Sequence, residues 1–479
     1  MGRYKKIGIL LAFLVVISAV AFRISRYEEE KEIIKNSDEI ILAIDSGNVS
    51  TLSWEYESGL LSFHKDGKWV YDGDEAFPMD EEKMEDLLSV FQEFGVSFVI
   101  EEVEDYGQYG LDAPVCTVRF TAGDTSYEVL LGAFSTMDSE RYVTVRETSG
   151  GTVSGGDVSA GNGKVYLVKT DPLDYFDAEL SDLIDHDDKL SYDGIVDIVT
   201  VGAEEQNIVY EEESSRTYCA DDVYFLKDGE TYLPLDSSRV DDYLKTIRNL
   251  KLTDYVTYNV TAEELESYGL DQPELTITVN YLSDGEEGAA QGTYTLSVSR
   301  SPGDKEKTED SGEVSEDFDA YVRIGDSQII YRIASGDYED LMAVSYDSLR
   351  HSDVFSADTT SIRQIDITLE GTDYTITSDD EDGSRTYYYQ ENEVEMASLK
   401  SHLKSLDAVR FTEEQPEQKE EIHLVIHLDN ENFPKIEIGL YRYDGDECLA
   451  VVDGEPVSFV QRSDVVDLIE AVHGIVLNE

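Results

Sequence analysis

His423 and His427 are the first candidates for chemistry in this 479-residue chain, because neutral imidazoles are common zinc ligands. Their setting argues against one shared ion. Glu421–Leu428 alternates apolar and polar residues, the pattern of a strand. On a strand an offset of four puts both rings on one face, about 13 Å apart at ~3.3 Å per residue. Asp185-His186-Asp187-Asp188 offers another set of cation ligands, but its place between two modules reads as a solvated interdomain loop. Ser378-Asp379-Asp380-Glu381-Asp382-Gly383 begins like a calcium loop. Its twelfth position is Tyr389, where an EF-hand needs Glu. Gly163-Lys164 is followed by Val165, so the glycines around 150–163 do not form a phosphate loop. The chain contains neither a Gly-x-Ser-x-Gly elbow nor a His-Glu-x-x-His helix motif. With 104 acidic residues, picking two as glycosidase carboxylates would be arbitrary. Cys116, Cys219 and Cys448 are too few and too scattered for a disulfide framework, and each reads as a small buried hydrophobe. No catalytic residue, metal ligand or cofactor is assigned.

The most distinctive motif is a hexapeptide that occurs twice. Tyr109-Gly110-Leu111-Asp112-Ala113-Pro114 returns 159 residues later as Tyr268-Gly269-Leu270-Asp271-Gln272-Pro273. It reads as a fixed turn: Gly relieves a strained backbone, Leu plugs the core, Asp accepts turn N–H groups and Pro opens an edge strand. The alternative is a partner- or ligand-binding loop.

The elements that position these residues also repeat. Met84, Leu87, Leu88, Phe91 and Phe94 share offsets of 0, 3, 4, 7 and 10 with Val240, Tyr243, Leu244, Ile247 and Leu250. Met396, Leu399, Leu403 and Leu406 follow the same scheme, with Lys400 as the polar exception. The first residues of the three stripes are 156 residues apart in each step. Such offsets lie on one helical face, and a long fixed period means repeated domains. Before each helix an Asp-Gly turn is expected at Lys65-Asp66-Gly67, Lys227-Asp228-Gly229 and Glu381-Asp382-Gly383, with φ > 0 at both turn positions. After it come an extended segment, a strand, a three-stranded meander and a terminal helix. Those helices are expected over 174–184, 338–349 and 464–473. Two insertions, Ser149–Gly163 and Ser301–Asp319, fall in different hairpins and read as surface loops.

Composition narrows the class. A hydrophobic content of 41% supports real cores. A net charge of −67 repels phosphate backbones, which excludes nucleic acid as a partner. Ile7–Phe22 is uncharged and follows Arg3, Lys5 and Lys6. It fits a membrane anchor of about 24 Å at ~1.5 Å per residue, with Lys6 and Arg23 snorkelling at its ends. It also carries a cleavage-like Ala19-Val20-Ala21, disfavoured by Arg23 just beyond it. Both alternatives send the acidic bulk across the membrane, N-terminus cytoplasmic.

The succession of strand, hairpin, striped helix, Tyr-Gly-Leu-Asp-x-Pro, β-meander and terminal helix resembles the bacterial family called domain of unknown function 4340. The resemblance is strongest over 44–180, fair over 195–350 and weak over 360–477, where the hexapeptide is missing. Such proteins are commonly encoded beside ABC-type transporters of the gliding-motility class. The resemblance therefore implies an accessory subunit of a membrane complex, with protein partners and no assigned chemistry.

The expected architecture is α+β: three tandem repeats of a mostly antiparallel β-sheet packed with helices, after one N-terminal transmembrane helix. The expected divisions are a cytoplasmic tail (1–6), an anchor (7–24), a stalk (25–38) and modules over 39–188, 189–355 and 356–479. The function expected is that of a single-pass, extracytoplasmic accessory or binding protein of an envelope or transporter-associated complex in the cell membrane. An envelope hydrolase using acidic residues and a cation-binding surface protein are the alternatives.

Overall fold

The computed structural model describes residues 39–57, 59–149, 163–212, 215–285, 288–305, 318–381 and 384–477. The expected anchor and stalk, most of both insertions, and Asp382-Gly383 lie outside the described residues. Among those described, no helix is long and apolar enough to cross a membrane. The chain divides into two compact units, one ending at His186 and the other starting at Asp187.

The first unit holds β1 (Ile40–Leu42), β2 (Val49–Tyr56), β3 (Gly59–Asp66), β4 (Lys68–Tyr71), α1 (Glu81–Ser89), β5 (Phe94–Ile100), β6 (Cys116–Ala122), β7 (Thr125–Ser135), β8 (Glu140–Ser149), β9 (Val165–Val168) and α2 (Leu173–Phe176). Its nine strands form one sheet in the order β1-β5-β9-β8-β7-β6-β2-β3-β4. Helix α1 starts where the Asp80 carboxylate accepts the N–H groups of Glu82 and Lys83. Met84, Leu87 and Leu88 face inward from it. The last two residues of the stripe, Phe91 and Phe94, lie beyond the helix and are still buried. Phe91 stacks on Phe120 at 5.1 Å and on Phe176 at 5.7 Å. Each such buried side chain contributes roughly 1.5–3 kcal/mol.

The second unit holds two such sheets. In its first half are β10 (Gly194–Val201), β11 (Glu205–Tyr210), β12 (Tyr224–Asp228), β13 (Thr231–Pro234), α3 (Ser237–Arg248), β14 (Tyr255–Thr257), β15 (Leu275–Gly285), β16 (Gly288–Arg300), β17 (Ala320–Ile324), β18 (Ile330–Ile333), α4 (Ser335–Met342) and α5 (Tyr346–Leu349). The second half has β19 (Ile362–Leu369), β20 (Thr372–Glu381), β21 (Ser384–Tyr389), β22 (Asn392–Val394), α6 (Ala397–Lys404), β23 (Ala408–Phe411), β24 (Glu420–Leu428), β25 (Lys435–Arg442), β26 (Glu447–Val452), β27 (Glu455–Gln461) and α7 (Arg462–Val476). The orders are β13-β12-β11-β10-β15-β16-β17-β18-β14 and β22-β21-β20-β19-β24-β25-β26-β27-β23.

The three sheets share one plan. A middle strand (β2, β10, β19) pairs antiparallel with the first strand of a four-stranded meander (β6, β15, β24). The strand after the striped helix (β5, β14, β23) closes the far edge of the meander. The expected repeats are therefore present, as mostly-β modules. All the apolar stripe positions are buried, and the half-buried Lys400 lays its ammonium 4.5 Å from the Tyr387 ring centroid.

Three local expectations are corrected. Gly67 and Gly229 have positive φ while Asp66 and Asp228 do not, so each Asp stays in its strand and the Gly alone makes the turn. Nor are the Asp-Gly turns equivalent. Counted from the middle strand, that of the first module joins the second and third strands, whereas that of the second joins the third and fourth. The helices expected over 174–184 and 338–349 are each broken. Asp177 leaves helical geometry at φ −82°, ψ 51°, and Ser345 caps a new turn by accepting the Ser348 N–H. Asp and Ser compete for local backbone groups, which favours caps over helix interiors.

Candidate functional site

The repeated hexapeptide has the same geometry in both copies. A 3₁₀ turn ends at Tyr109 or Tyr268, and Gly110 (φ 70°) or Gly269 (φ 68°) follows in the left-handed region. Gly110 also sits where a Cβ would come 2.9 Å from the Ala133 nitrogen, and Gly269 where one would come 2.7 Å from the Arg300 oxygen. Leu111 is buried with Leu130 and Val165, and Leu270 with Val260 and Ile330. Tyr109 packs on Tyr142 at 5.0 Å and Tyr268 on Tyr321 at 5.1 Å. Pro114 and Pro273 each stand two residues before the strand they introduce, but β6 and β15 lie inside their sheets and not at an edge as expected; the prolines precede the paired residues and so cost the ladder no N–H. The aspartates differ from expectation. Asp112 and Asp271 are exposed, and among the described residues no backbone N–H donates to them. Asp105 accepts from Gly107 in the first copy, and Thr261 and Glu264 cap each other in the second. The aspartate is thus exposed in both copies, as is the residue after it, Ala113 or Gln272.

The other sequence candidates separate. His423 and His427 lie on the same face of β24, opposite the core, and have different partners. His423 pairs with Glu420 at 2.8 Å and His427 with Asp366 at 2.8 Å. Asp366 is held low: burial raises its pKa, but hydrogen bonds from His427, Thr375 and Gln364 outweigh that. In the 185–188 loop, Asp187 is not left to solvent. Its carboxylate accepts from Ser327 at 2.8 Å and Tyr331 at 3.1 Å, and its N–H donates to the Tyr331 oxygen. Burial pushes the Cys116 and Cys448 thiols up to about 12, as befits inert core residues.

Cys219 is different. It lies in the loop between β11 and β12, not in a strand, and its thiol, the Asp222 carboxylate and a His351 ring nitrogen lie within 4.8 Å of one another. The loop turns because the Asp222 N–H donates to the Cys219 carbonyl at 3.2 Å. Thr217 Oγ accepts the Cys219 N–H at 3.1 Å and donates to Asp222 Oδ2 at 2.7 Å. His351 follows the C-cap of α5, Arg350. Its Nε2 is 2.8 Å from Asp222 Oδ1, and its Nδ1 is 3.9 Å from Asp236, the N-cap of α3. Asp222 is 3% exposed and Cys219 9%. Burial opposes charge on His351, yet the hydrogen bonds to Asp222 and Cys219 raise its pKa to about 10. Tyr218 completes the loop by packing against the core of the third module and reaching Ser356. No spacing rule could have found this group, since 129 residues separate Asp222 from His351.

Among carboxyl groups displaced from their ordinary range, the direction is mostly downward. Lys164 holds Glu101 low, and backbone N–H groups do the same for Glu264, Asp358 and Asp444. Burial would raise Glu274, but the Arg300 guanidinium at 2.7 Å outweighs it. Among the described residues Asp407 is the exception, raised by burial and by neighbouring Asp353.

Residues 69–218 and 228–424 match the model of a family described as Domain of unknown function (DUF4340). The first match opens at β4 and runs into the loop that carries Cys219, and the second opens at the β12–β13 turn and runs into β24. Both lie downstream of the ranges expected from the motifs: the first takes in β10 and β11 of the second module, and the second runs through α6 and β23 of the third. No curated protein and no solved structure matches the chain.

Proposed function

The chain belongs to the family described as Domain of unknown function (DUF4340), and we propose that it acts as a membrane-anchored, extracytoplasmic binding subunit of an envelope or transporter-associated complex. The observation that favours binding over acid hydrolysis is the direction of the carboxyl shifts. A general acid needs a carboxyl held protonated near neutral pH, which takes burial without a compensating cation or N–H donor. Glu101, Glu264, Glu274, Asp358, Asp366 and Asp444 are all held ionised instead. Asp407 is raised by burial and by neighbouring Asp353, with which it makes a backbone bridge.

Repeated sheets with open edge strands offer a partner backbone groups to pair with. The uncharged segment 7–22 with its basic flank supports the anchor, and a net charge of −67 suits a partner surface that is basic. The topology is tested by treating intact cells with a membrane-impermeant amine reagent. Lysines from Lys65 onward should be labelled in whole cells, and deletion of residues 7–24 should release the chain from membranes. Lysines that react only after lysis would defeat the proposal.

A further inference from the structure

We propose that Cys219, Asp222 and His351 form a zinc site that ties the β11–β12 loop to the segment leading into the third module. Thiolate, imidazole and carboxylate are the three ligand types zinc takes, and this mixed set suits it better than calcium or magnesium, which take oxygen. The donor atoms already lie within 4.8 Å of one another. In a tetrahedral site with bonds of about 2.0–2.3 Å, ligand atoms stand about 3.2–3.8 Å apart. Small side-chain rotations therefore close the site.

The surroundings of a zinc site are already built. Thr217 Oγ holds the second oxygen of Asp222 and the backbone of Cys219 together. Asp236 stands 3.9 Å from the His351 nitrogen that does not face Asp222, the position of a carboxylate that orients a metal-bound imidazole. A cavity of about 100 Å³ opens beside the cluster and is lined by Asp222 and His351, so water can take the fourth position. Cys219 is absent from that lining and 9% exposed, which argues against a nucleophilic thiol. Binding replaces the proton shared by His351 Nε2 and Asp222, and the sulfur ligates as thiolate.

The test uses the detergent-solubilised full-length chain, stripped with chelator and titrated with cobalt(II) and then zinc(II). One cobalt per chain should bind with a thiolate-to-cobalt charge-transfer absorption, and one equivalent of zinc should displace it. The absorption should vanish in Cys219→Ser and survive in Cys116→Ser and Cys448→Ser. His351→Gln should weaken binding at least tenfold. Absence of the absorption at one equivalent in the folded chain would overturn the proposal, as would its persistence in Cys219→Ser. Should Cys219→Ser not fold, alkylation decides: zinc should slow modification of Cys219 in the parent chain, and an unchanged rate refutes the site.

Discussion

Three glycines of the first module separate two physical reasons for having no side chain. Gly123 has φ 59° and nothing within 4 Å of where a Cβ would stand. Gly132 lacks the positive φ, but its Cβ would meet the Tyr109 carbonyl oxygen and come 2.9 Å from Leu111 Cγ. Gly110 has both, with φ 70° and a Cβ 2.9 Å from the Ala133 nitrogen. The left-handed conformation costs a side chain about 1 kcal/mol. Forcing an atom into a closed backbone contact costs about 1–3 kcal/mol more. Gly123→Ala should therefore destabilise by about 1 kcal/mol, Gly132→Ala by about 2 kcal/mol and Gly110→Ala by about 3 kcal/mol. A chain of several modules need not unfold in one step, so a global melting curve is the wrong assay. Native-state hydrogen exchange on peptides from β6, β7 and β8 reads the local opening energy instead. If Gly132→Ala exchanges like the parent chain, the seat under Tyr109 and Leu111 carries no stability. The hexapeptide would then owe its shape to something it binds.

Glu274→Gln should loosen β15, β16 and α4 together by about 2–3 kcal/mol, because Arg300 loses its charged partner and one of the two oxygens that accept from Arg300 and Tyr338 becomes an NH2 donor. Since Glu274 is held below its ordinary range, its contribution is present above about pH 4.3 and is lost as pH falls through the depressed value; exchange of β15 peptides against pH checks this. In metal-free protein His351 works in the opposite sense. Its pairing with Asp222 is fully stabilising below about pH 6.5 and is lost as pH rises through about 10, so peptides spanning 217–224 should open between those values in the parent chain and show no such trend in His351→Gln. In α6, Leu399→Ala should cost about 2–5 kcal/mol by hydrogen exchange, whereas Lys400→Ala loses only a cation–π contact of about 0.5–1 kcal/mol.

What could be read from the chain alone follows from the range of each interaction. The stripes of α1, α3 and α6 and the meanders after them are written in local periodicity, so their existence and order were legible. The plug residues Leu111 and Leu270 were legible for the same reason, as the lone apolar positions in polar turns. Strand counts beyond the middle strand were not. A hairpin with Gly at its turn looks alike whether it joins the second and third strands or the third and fourth. The broken helices at Asp177 and Ser345 turned on side chains that cap as readily as they propagate. The cluster of Cys219, Asp222 and His351 left no local trace at all, because it is assembled by α5 returning the chain to the N-terminus of α3, where Asp236 donates its N–H to the Leu349 carbonyl at 2.9 Å.

The most direct test of the binding role is a crosslinked pull-down of the full-length chain from intact membranes, beside a form lacking residues 7–24. Specific recovery of membrane-complex subunits with the anchored chain, reduced with the truncated one, is the predicted result. Recovery of the anchored chain in good yield with no other protein attached would contradict the account.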